Sequence, residues 1–405
     1  MSPPSLPIRP AALRRAWPLA AALAVIVVLS MGFACSEHGR PAFASAFLLP
    51  DMMVELPVRP ITWFTDEPVV ERTYIDYGED RILADIYRPG DNDQHAAVIF
   101  SMGAPPLDLD DSRLVKLAED AARAGLVMIV PFSERLDAER IDPEEIDALA
   151  GIFEYAERQP YVDPERVGYI GVSVGGSLAL AAAEDPRIAG RVDFVVSFGG
   201  YYDALDVLTA VGPREFEYNG MVEEWDLDEH VVEVMALQLI IELEDANDRA
   251  VLCKAFVDEW DWDLCDTTFP DLRPAGPDDI ATLTPEGRIA YNVLSSPTIE
   301  DARDLVPQLP PSLLERLAAL SPNRGVERLQ AELYIIHDRG DKFVPYVESR
   351  RLRDALEGRD DLDVHYTEVS LFEHVEPRLS RGGDIIVLDG ARLYFRLYQL
   401  LLELT

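Results

Sequence analysis

Ser173 is the residue whose surroundings most strongly suggest chemistry. It lies in Gly171-Val172-Ser173-Val174-Gly175, between the apolar run 167–170 and a run of small residues at 174–183. Small residues let a strand and a helix approach closely around a tight turn, and a helix N-terminus favours negative charge beside the serine. Gly-x-Ser-x-Gly alone is a weak pattern. This strand–turn–helix context predicts that Ser173 is a nucleophile.

A serine hydroxyl is inert without a base, and His374 is the best placed of the six histidines. It lies in the loop 371–375, directly after the last predicted strand, where an imidazole could reach Ser173. The other histidines lie in a linker, in strands or in an insertion: His38, His95, His230, His337 and His365. We therefore expect His374 to be the general base.

The base needs a carboxylate to orient it, and two candidates remain open. Asp341 follows the apolar strand 333–336, in the run 339–345, and Asp203 follows the strand that ends at Phe198. The chain order Ser173, Asp341, His374 is the order expected when the serine lies on a nucleophile elbow. Asp341 is the predicted acid, and Asp203 is its rival.

The elements that must position these residues form an alternating pattern. Apolar strands alternate with helical runs, which predicts an α/β fold with a mostly parallel sheet and helices on both faces. The predicted strands are 69–77, 81–87, 96–101, 126–130, 167–170, 192–198, 331–337 and 362–369, and the helices are 114–124, 143–159, 174–183, 347–356 and 391–402.

The pattern breaks after Tyr202, where strong strand signals stop. Residues 204–329 contain helical runs and Trp225, Trp260 and Trp262, so we expect a helical cap insertion. The core then has a first part, 69–203, and a second part, 330–405.

The N-terminal segment differs from the rest of the chain. Residues 1–15 are basic, and 16–35 carry no charge, which is typical of a transmembrane anchor or of the apolar part of a signal. Small residues at 42–46 offer cleavage sites, and Cys35 weakly resembles a lipoprotein site. A membrane-anchored, a secreted and a lipidated protein all remain open. Each would have its catalytic domain outside the cytoplasm, and residues 36–68 are predicted to be a linker.

Composition excludes some classes of partner. The chain has 405 residues with 74 acidic and 36 basic side chains, a formal net charge of -38, which disfavours nucleic acid. No cofactor or metal site is predicted, because no Cys/His cluster has ligand spacing. Cys253 and Cys265 form a possible disulfide in an exported domain, although two free thiols remain an alternative.

Several motifs resemble the α/β-hydrolase superfamily, in particular its dienelactone-hydrolase-like and prolyl-oligopeptidase-like branch. They are the run 163–167 leading into Gly171–Gly176, Gly340-Asp341 with Val344-Pro345, and His374 after a phenylalanine. The resemblance covers about 69–203 and 330–405, and the insertion matches nothing assigned.

The resemblance implies a carboxylesterase-like serine hydrolase that forms an acyl-enzyme on a small ester-like substrate. The oxyanion would be held by the backbone N–H of Val174 and by that of Met102 or Gly103. Related proteins often have His-Gly at the latter position, and this chain does not. Pro105 and Pro106 have no N–H to donate.

Two other functions remain open. One is a peptidase of the prolyl-oligopeptidase type, although residues 1–68 are too few for the propeller expected before the first strand. The other is a non-catalytic binding protein on the same fold. The oligomeric state is not predicted.

Overall fold

A single eight-stranded sheet organises the protein. The computed structural model describes residues 36, 38–53, 59–257, 275–378 and 382–405. The strand order is β1-β2-β4-β3-β5-β6-β9-β10. The strands of this sheet are β1 (Val69–Tyr77), β2 (Asp80–Arg88), β3 (His95–Ser101), β4 (Val127–Phe132), β5 (Val162–Val172), β6 (Phe194–Phe198), β9 (Glu332–Asp338) and β10 (Val364–Val369).

The sheet is mostly parallel, as predicted. β4, β3, β5, β6, β9 and β10 run in one direction, and β2 pairs antiparallel with both β1 and β4. β5, β6 and β9 are adjacent. Since the carboxyl ends of parallel strands lie at one edge, the loops after these three strands meet there.

Helices cover both faces of the sheet, because its strands are apolar on both sides. In β3, Ala97 and Ile99 belong to one buried cluster, and Val98 and Phe100 belong to the other. The helices of the core are α1 (Gly39–Met53), α2 (Ser112–Arg123), α3 (Glu134–Asp137), α4 (Glu144–Glu157), α5 (Val174–Ala183), α13 (Val347–Ala355) and α14 (Gly383–Leu404). α1, α2 and α14 pack on one face, and α4, α5 and α13 pack on the other.

Between β6 and β9 the described residues form seven α-helices, three short 3-10 helices and one hairpin. The α-helices are α6 (Ala204–Val211), α7 (Glu229–Ile240), α8 (Ala246–Phe256), α9 (Pro277–Ala281), α10 (Pro285–Leu294), α11 (Ile299–Leu305) and α12 (Pro311–Ala319), and the hairpin joins β7 (Glu215–Tyr218) to β8 (Met221–Glu224). We refer to 204–329 as the insertion.

The hairpin was not predicted, although the sequence contains its signal. Asn219 and Gly220 both have positive φ, 52° and 74°. An Asn-Gly pair of this kind favours the two-residue turn that matches the twist of a hairpin. β7 and β8 are only four residues each, too short for an alternating pattern to stand out.

Part of the predicted linker 36–68 is folded instead. α1 packs against α14 and α2 and buries Ala44 and Leu48. A 3-10 turn follows at Pro60–Trp63, and Arg59 pairs there with Glu119 of α2 at 2.7 Å. The uncharged run 41–50 explains this packing, because removing its apolar side chains from water lowers the free energy of the folded protein. The small-residue sites at 42–46 fall within α1.

Three predictions fall on residues that the structure does not describe. The segments 1–15 and 16–35 are outside it, and no helix within the described part of the chain is long and apolar enough to cross a membrane. Cys253 is buried in α8 and disulfide-bonded. Cys265, like Trp260 and Trp262, lies outside the described residues, so the Cys253–Cys265 pairing stays a prediction.

Candidate active site

Ser173 occupies a strained turn between β5 and α5. Its φ is 56° and its ψ is -136°, a region that non-glycine residues rarely adopt. The backbone holds the turn from two sides: the N–H of Ser173 donates to the carbonyl of Phe198 at 2.8 Å, and its own carbonyl accepts from the N–H of Gly176 at 2.9 Å. Ser173 is therefore fixed at the carboxyl edge of the sheet.

Glycines flank Ser173 because the backbone approaches itself too closely for a side chain. A Cβ on Gly171 would lie 2.3 Å from the carbonyl oxygen of Gly175. A Cβ on Gly175 would lie 2.2 Å from the carbonyl oxygen of Ser101, at the end of β3. Both distances are far inside van der Waals contact, so the turn cannot form in this geometry with larger residues.

The loop after β3 lies directly against the serine. A Cβ built on Gly103 would be 3.1 Å from Ser173 Cβ and 3.5 Å from its Oγ. Val174 is the first residue of α5, where amides have no partner within the helix. Met102 is buried beside Gly175. Gly103 is thus next to the hydroxyl, and both loops that were expected to supply oxyanion donors meet at Ser173.

His374 and Asp341 form a buried hydrogen-bonded pair. His374 Nδ1 lies 2.8 Å from Asp341 Oδ2 and 3.0 Å from Oδ1. An ionised carboxylate can only accept, so Nδ1 carries the proton and donates it. In the neutral imidazole this leaves Nε2 as the acceptor. Phe343 stacks on the imidazole with ring centroids 4.7 Å apart.

The environment of Asp341 keeps its carboxyl ionised. Burial by itself would raise its pKa, but the charge of His374 and hydrogen bonds from His337 and His374 outweigh burial, so the pKa is lowered. Oδ1 also accepts from the N–H groups of Phe343 at 2.8 Å and Val344 at 3.0 Å. A fixed negative charge therefore faces His374.

His337 is a second histidine on Asp341 that the sequence analysis did not select. It is fully buried in β9, with Nε2 3.3 Å from Asp341 Oδ2 and 3.1 Å from the carbonyl of Val344. Both neighbours are acceptors, so Nε2 carries the proton and donates. The four-residue spacing between His337 and Asp341 was the available signal, but a histidine within an apolar strand was interpreted only as a strand residue.

Asp338 connects the loops that carry the acid and the base. Its Oδ1 accepts from the N–H of Gly340, and its Oδ2 accepts from the N–H of Phe372, both at 2.7 Å. Gly340 precedes Asp341, and Phe372 lies two residues before His374. A buried carboxylate with two backbone donors thus fixes the spacing between the two loops. The sequence showed a polar residue ending an apolar strand, but not its partner in the other loop.

The end of β6 joins the serine turn to the acid–base pair. Phe198 accepts the hydrogen bond of Ser173, and a Cβ on the next residue, Gly199, would lie 3.4 Å from both His374 Nδ1 and Asp341 Oδ2. Within the described residues, His374 makes its side-chain hydrogen bonds to Asp341 and none to Ser173 Oγ. Hydrogen bonds between nucleophile and base often tighten only when substrate is bound.

Asp203, the rival acid, has hydrogen-bond partners other than His374 in the structure. Its Oδ1 accepts from the N–H of Leu205 at 2.8 Å and caps α6, and its Oδ2 accepts from the side chain of Asn323. His374 Nδ1 is already bonded to Asp341. The position of Asp203 after a sheet strand is explained by helix capping.

The insertion bonds to the loop that carries Asp341. Trp225 Nε1 donates to the carbonyl of Asp341 at 3.0 Å, and the N–H of Asp228 donates to the carbonyl of Lys342 at 3.0 Å. Lys342 Nζ lies 2.9 Å from Asp226 and 3.5 Å from Glu373, which precedes His374. The stretch 225–228 therefore contacts the backbone of Asp341 directly and the loop of His374 through Lys342.

Comparisons with known proteins give structural similarity only. No protein-family model matches the sequence, and no curated protein does either. The chain is similar to acylaminoacyl peptidase from Pyrococcus horikoshii, with 14% identity, a TM-score of 0.44, and coverage of 85% of this chain and 42% of that one. It thus spans less than half the length of that peptidase.

Two further solved structures are similar at the same level. One is 2,6-dihydroxy-pseudo-oxynicotine hydrolase, with 16% identity, a TM-score of 0.42, and coverage of 82% of this chain and 68% of that one. The other is a putative dienelactone hydrolase from Klebsiella pneumoniae, with 11% identity, a TM-score of 0.43, and coverage of 82% and 99%. The strand order, the strained serine turn after β5 and the loops gathered at the carboxyl edge give this chain the α/β-hydrolase fold.

Proposed function

We propose that the protein is a serine hydrolase that cleaves an ester-type bond through an acyl-enzyme intermediate. One observation supports this most directly. A serine in a strained strand–helix turn lies at the same sheet edge as a buried imidazole–carboxylate pair whose Nδ1–Oδ2 distance is 2.8 Å. A turn with no chemistry has no need of a buried, ionised Asp341 or of an oriented His374.

The reaction assigns one role to each group. His374 Nε2 takes the proton of Ser173 Oγ as the oxygen attacks the carbonyl carbon of the substrate. The tetrahedral intermediate collapses, the alcohol leaves with that proton, and the acyl group stays on Oγ. Water then attacks the acyl-enzyme with His374 again as base, which releases the acid and restores Ser173.

Negative charge develops on the carbonyl oxygen during both attacks. The N–H of Val174, at the start of α5, is one proposed donor to it, and the N–H of Gly103 is the other because Gly103 lies beside Ser173 Oγ. Met102 is less suited, since its carbonyl lies against Gly175. Asp341 keeps the imidazole in the required tautomer and stabilises its charged form.

A fluorophosphonate probe tests this proposal, because it reacts covalently with an activated serine. We expect the wild type to be labelled at Ser173 and the Ser173→Ala variant to lose labelling. Ser295→Ala is the matched control, since Ser295 is an exposed serine at the end of α10 and should leave labelling unchanged. A folded wild type that resists the probe would overturn the proposal.

Substrate class is tested separately with p-nitrophenyl esters of increasing chain length beside aminoacyl p-nitroanilides. The ester proposal expects turnover of esters that Ser173→Ala abolishes. Turnover of the anilides alone, with labelling of Ser173 retained, would instead favour the peptidase alternative.

A further inference from the structure

The outer side of the α1–α14 layer exposes a group of large aromatic side chains. Trp63 is 67% exposed, Phe64 is 66% exposed, and Phe395 of α14 is 61% exposed. A single exposed apolar side chain is ordinary, but here three large ones occur on two elements that both contact α1. We call the surface formed by the 3-10 turn 60–63 with Phe64, by α1 and by α14 the aromatic face.

Direct contacts make the aromatic face continuous. Trp63 and Phe64 have ring centroids 6.4 Å apart, and Phe64 meets Phe43 of α1 edge-on at 5.7 Å. From α14, the hydroxyl of Tyr394 donates to the carbonyl of Ala42 in α1 at 3.2 Å, and Tyr394 contacts Phe395 with ring centroids 5.7 Å apart. Contacts between neighbouring residues thus link the exposed rings across three elements.

The apolar character continues along α14. Val387 is 72% exposed and Leu388 is 55% exposed, and Leu388 lies seven residues, two helical turns, before Phe395. Residues seven apart lie on the same side of a helix. Ala391 is exposed between them. Arg392, which is half exposed and lies between Leu388 and Phe395 on the same side, is the charged residue among them, so this outward-facing side of α14 is mostly apolar over two turns.

The central run of α1 carries no charge, although Arg40 directly before it is exposed. Residues 41–50 contain no charged side chain, in a chain with a net charge of -38. Arg59, beside the 3-10 turn, is paired with Glu119 and Asp120. A large apolar patch inside such an acidic surface marks a place where something apolar binds.

We propose that the aromatic face lies in the interface of a lipid bilayer. The uncharged segment 16–35 ends four residues before α1 begins at Gly39. If that segment is held in a membrane, as its composition predicts, so short a connection keeps α1 and its neighbours at the membrane surface. Tryptophan and tyrosine favour this interface, and a helix with one exposed apolar side can lie in it. The acidity of the chain favours zwitterionic over anionic lipid.

Photolabelling of the full chain in phosphatidylcholine vesicles tests this. A phosphatidylcholine with a diazirine on its acyl chain is activated by light, and the labelled peptides are mapped by mass spectrometry. We expect labels on peptides that contain Trp63-Phe64 and on the 387–395 part of α14. The hairpin tip is the matched control, because Met221 is 60% exposed and lies on the insertion. It should remain unlabelled.

Three outcomes would overturn the proposal. Labels on 16–35 alone would mean that the anchor is in the membrane and the aromatic face is not. Equal labelling of the hairpin tip would mean that exposure to solvent alone determines which peptides are labelled. An unlabelled face in a protein that light scattering shows to be a dimer would mean that a second copy covers it.

Charged variants give a second readout that does not depend on catalysis. In the double variant Trp63→Glu and Phe395→Glu, labelling of 387–395 should fall severalfold, whereas Met221→Glu should leave it unchanged. All three side chains are exposed, so the thermal unfolding midpoint should hardly change. Undiminished labelling of α14 in the folded double variant would contradict the proposal. Fluorophosphonate labelling of Ser173 in the same samples reports the hydrolase proposal independently.

Discussion

The core and the insertion contribute to the candidate site in different ways. The three side chains of the proposed triad, Ser173, His374 and Asp341, come from loops at the carboxyl edge of the core sheet. The insertion supplies none of them, yet Trp225 and Asp228 bond to the backbone of the loop that carries the acid. A cap is commonly regarded as a substrate lid. Here the insertion also bonds to the loop that carries the proposed acid.

The atoms that these contacts use explain why the core and the insertion contribute differently. The insertion bonds to carbonyl oxygens of Asp341 and Lys342, so it fixes where the acid loop lies without replacing its carboxylate. A single neutral hydrogen bond contributes about 1 kcal/mol to stability, whereas removing a triad member changes the reaction path itself. Variants in the two regions should therefore differ greatly in effect.

The largest effect is expected for Asp341→Asn, which tests the core side of the comparison. The amide cannot hold His374 in the required tautomer or stabilise its charge, so fluorophosphonate labelling of Ser173 should slow by about 10,000-fold. Asp203→Asn is its control, since Asp203 caps α6 and should change the rate by less than about tenfold. The reverse result would move the acid to Asp203.

A smaller effect is expected for Trp225→Phe, which breaks the contact from the insertion side. Loss of the hydrogen bond to the Asp341 carbonyl should slow labelling by about two- to tenfold, because that bond contributes about 0.5–1.5 kcal/mol. Trp63→Phe, at an exposed tryptophan, should leave the rate unchanged. If Trp225→Phe matched the control in the folded protein, the insertion would not support the acid loop.

The smallest effect on labelling is expected for Glu184→Gln, at the contact between the core and the insertion. This residue ends α5, and the side chain of Arg328 from the insertion donates to its carbonyl at 2.9 Å. Burial raises the pKa of its side chain from 4.5 to about 9, and among the described residues its Oε1 has no hydrogen-bond partner. It lies away from Ser173, so Glu184→Gln should label normally.

The effect of Glu184 should be on stability and its dependence on pH. Since the folded-state pKa is the higher one, the folded protein holds an extra proton between pH 4.5 and about 9, and stability falls as the pH rises through that window. Glu184→Gln removes this loss. Its unfolding midpoint should equal that of the wild type near pH 5 and exceed it at pH 8. Identical slopes for the two proteins would mean that Glu184 is ionised in the fold.

Much of the core could be predicted because its signals are local. The apolar runs of β3, β5 and β9 and the glycines around Ser173 each follow from neighbouring residues. Less of the insertion could be predicted from the sequence, since β7 and β8 are too short to show an alternating pattern. The helix α1 was assigned to a linker because its stability comes from packing on α14, about 350 residues further along the chain.

The sequence by itself determined the serine turn and the order of Ser173, Asp341 and His374, because those depend on residue type and on spacing along one strand or loop. Only the tertiary structure decided which carboxylate faces His374, and that His337, Asp338 and Trp225 hold the acid and base loops. The physical reason is that these contacts, apart from the one between His337 and Asp341, join segments 33 to 116 residues apart, and a hydrogen bond between distant segments leaves no periodic signal in either one.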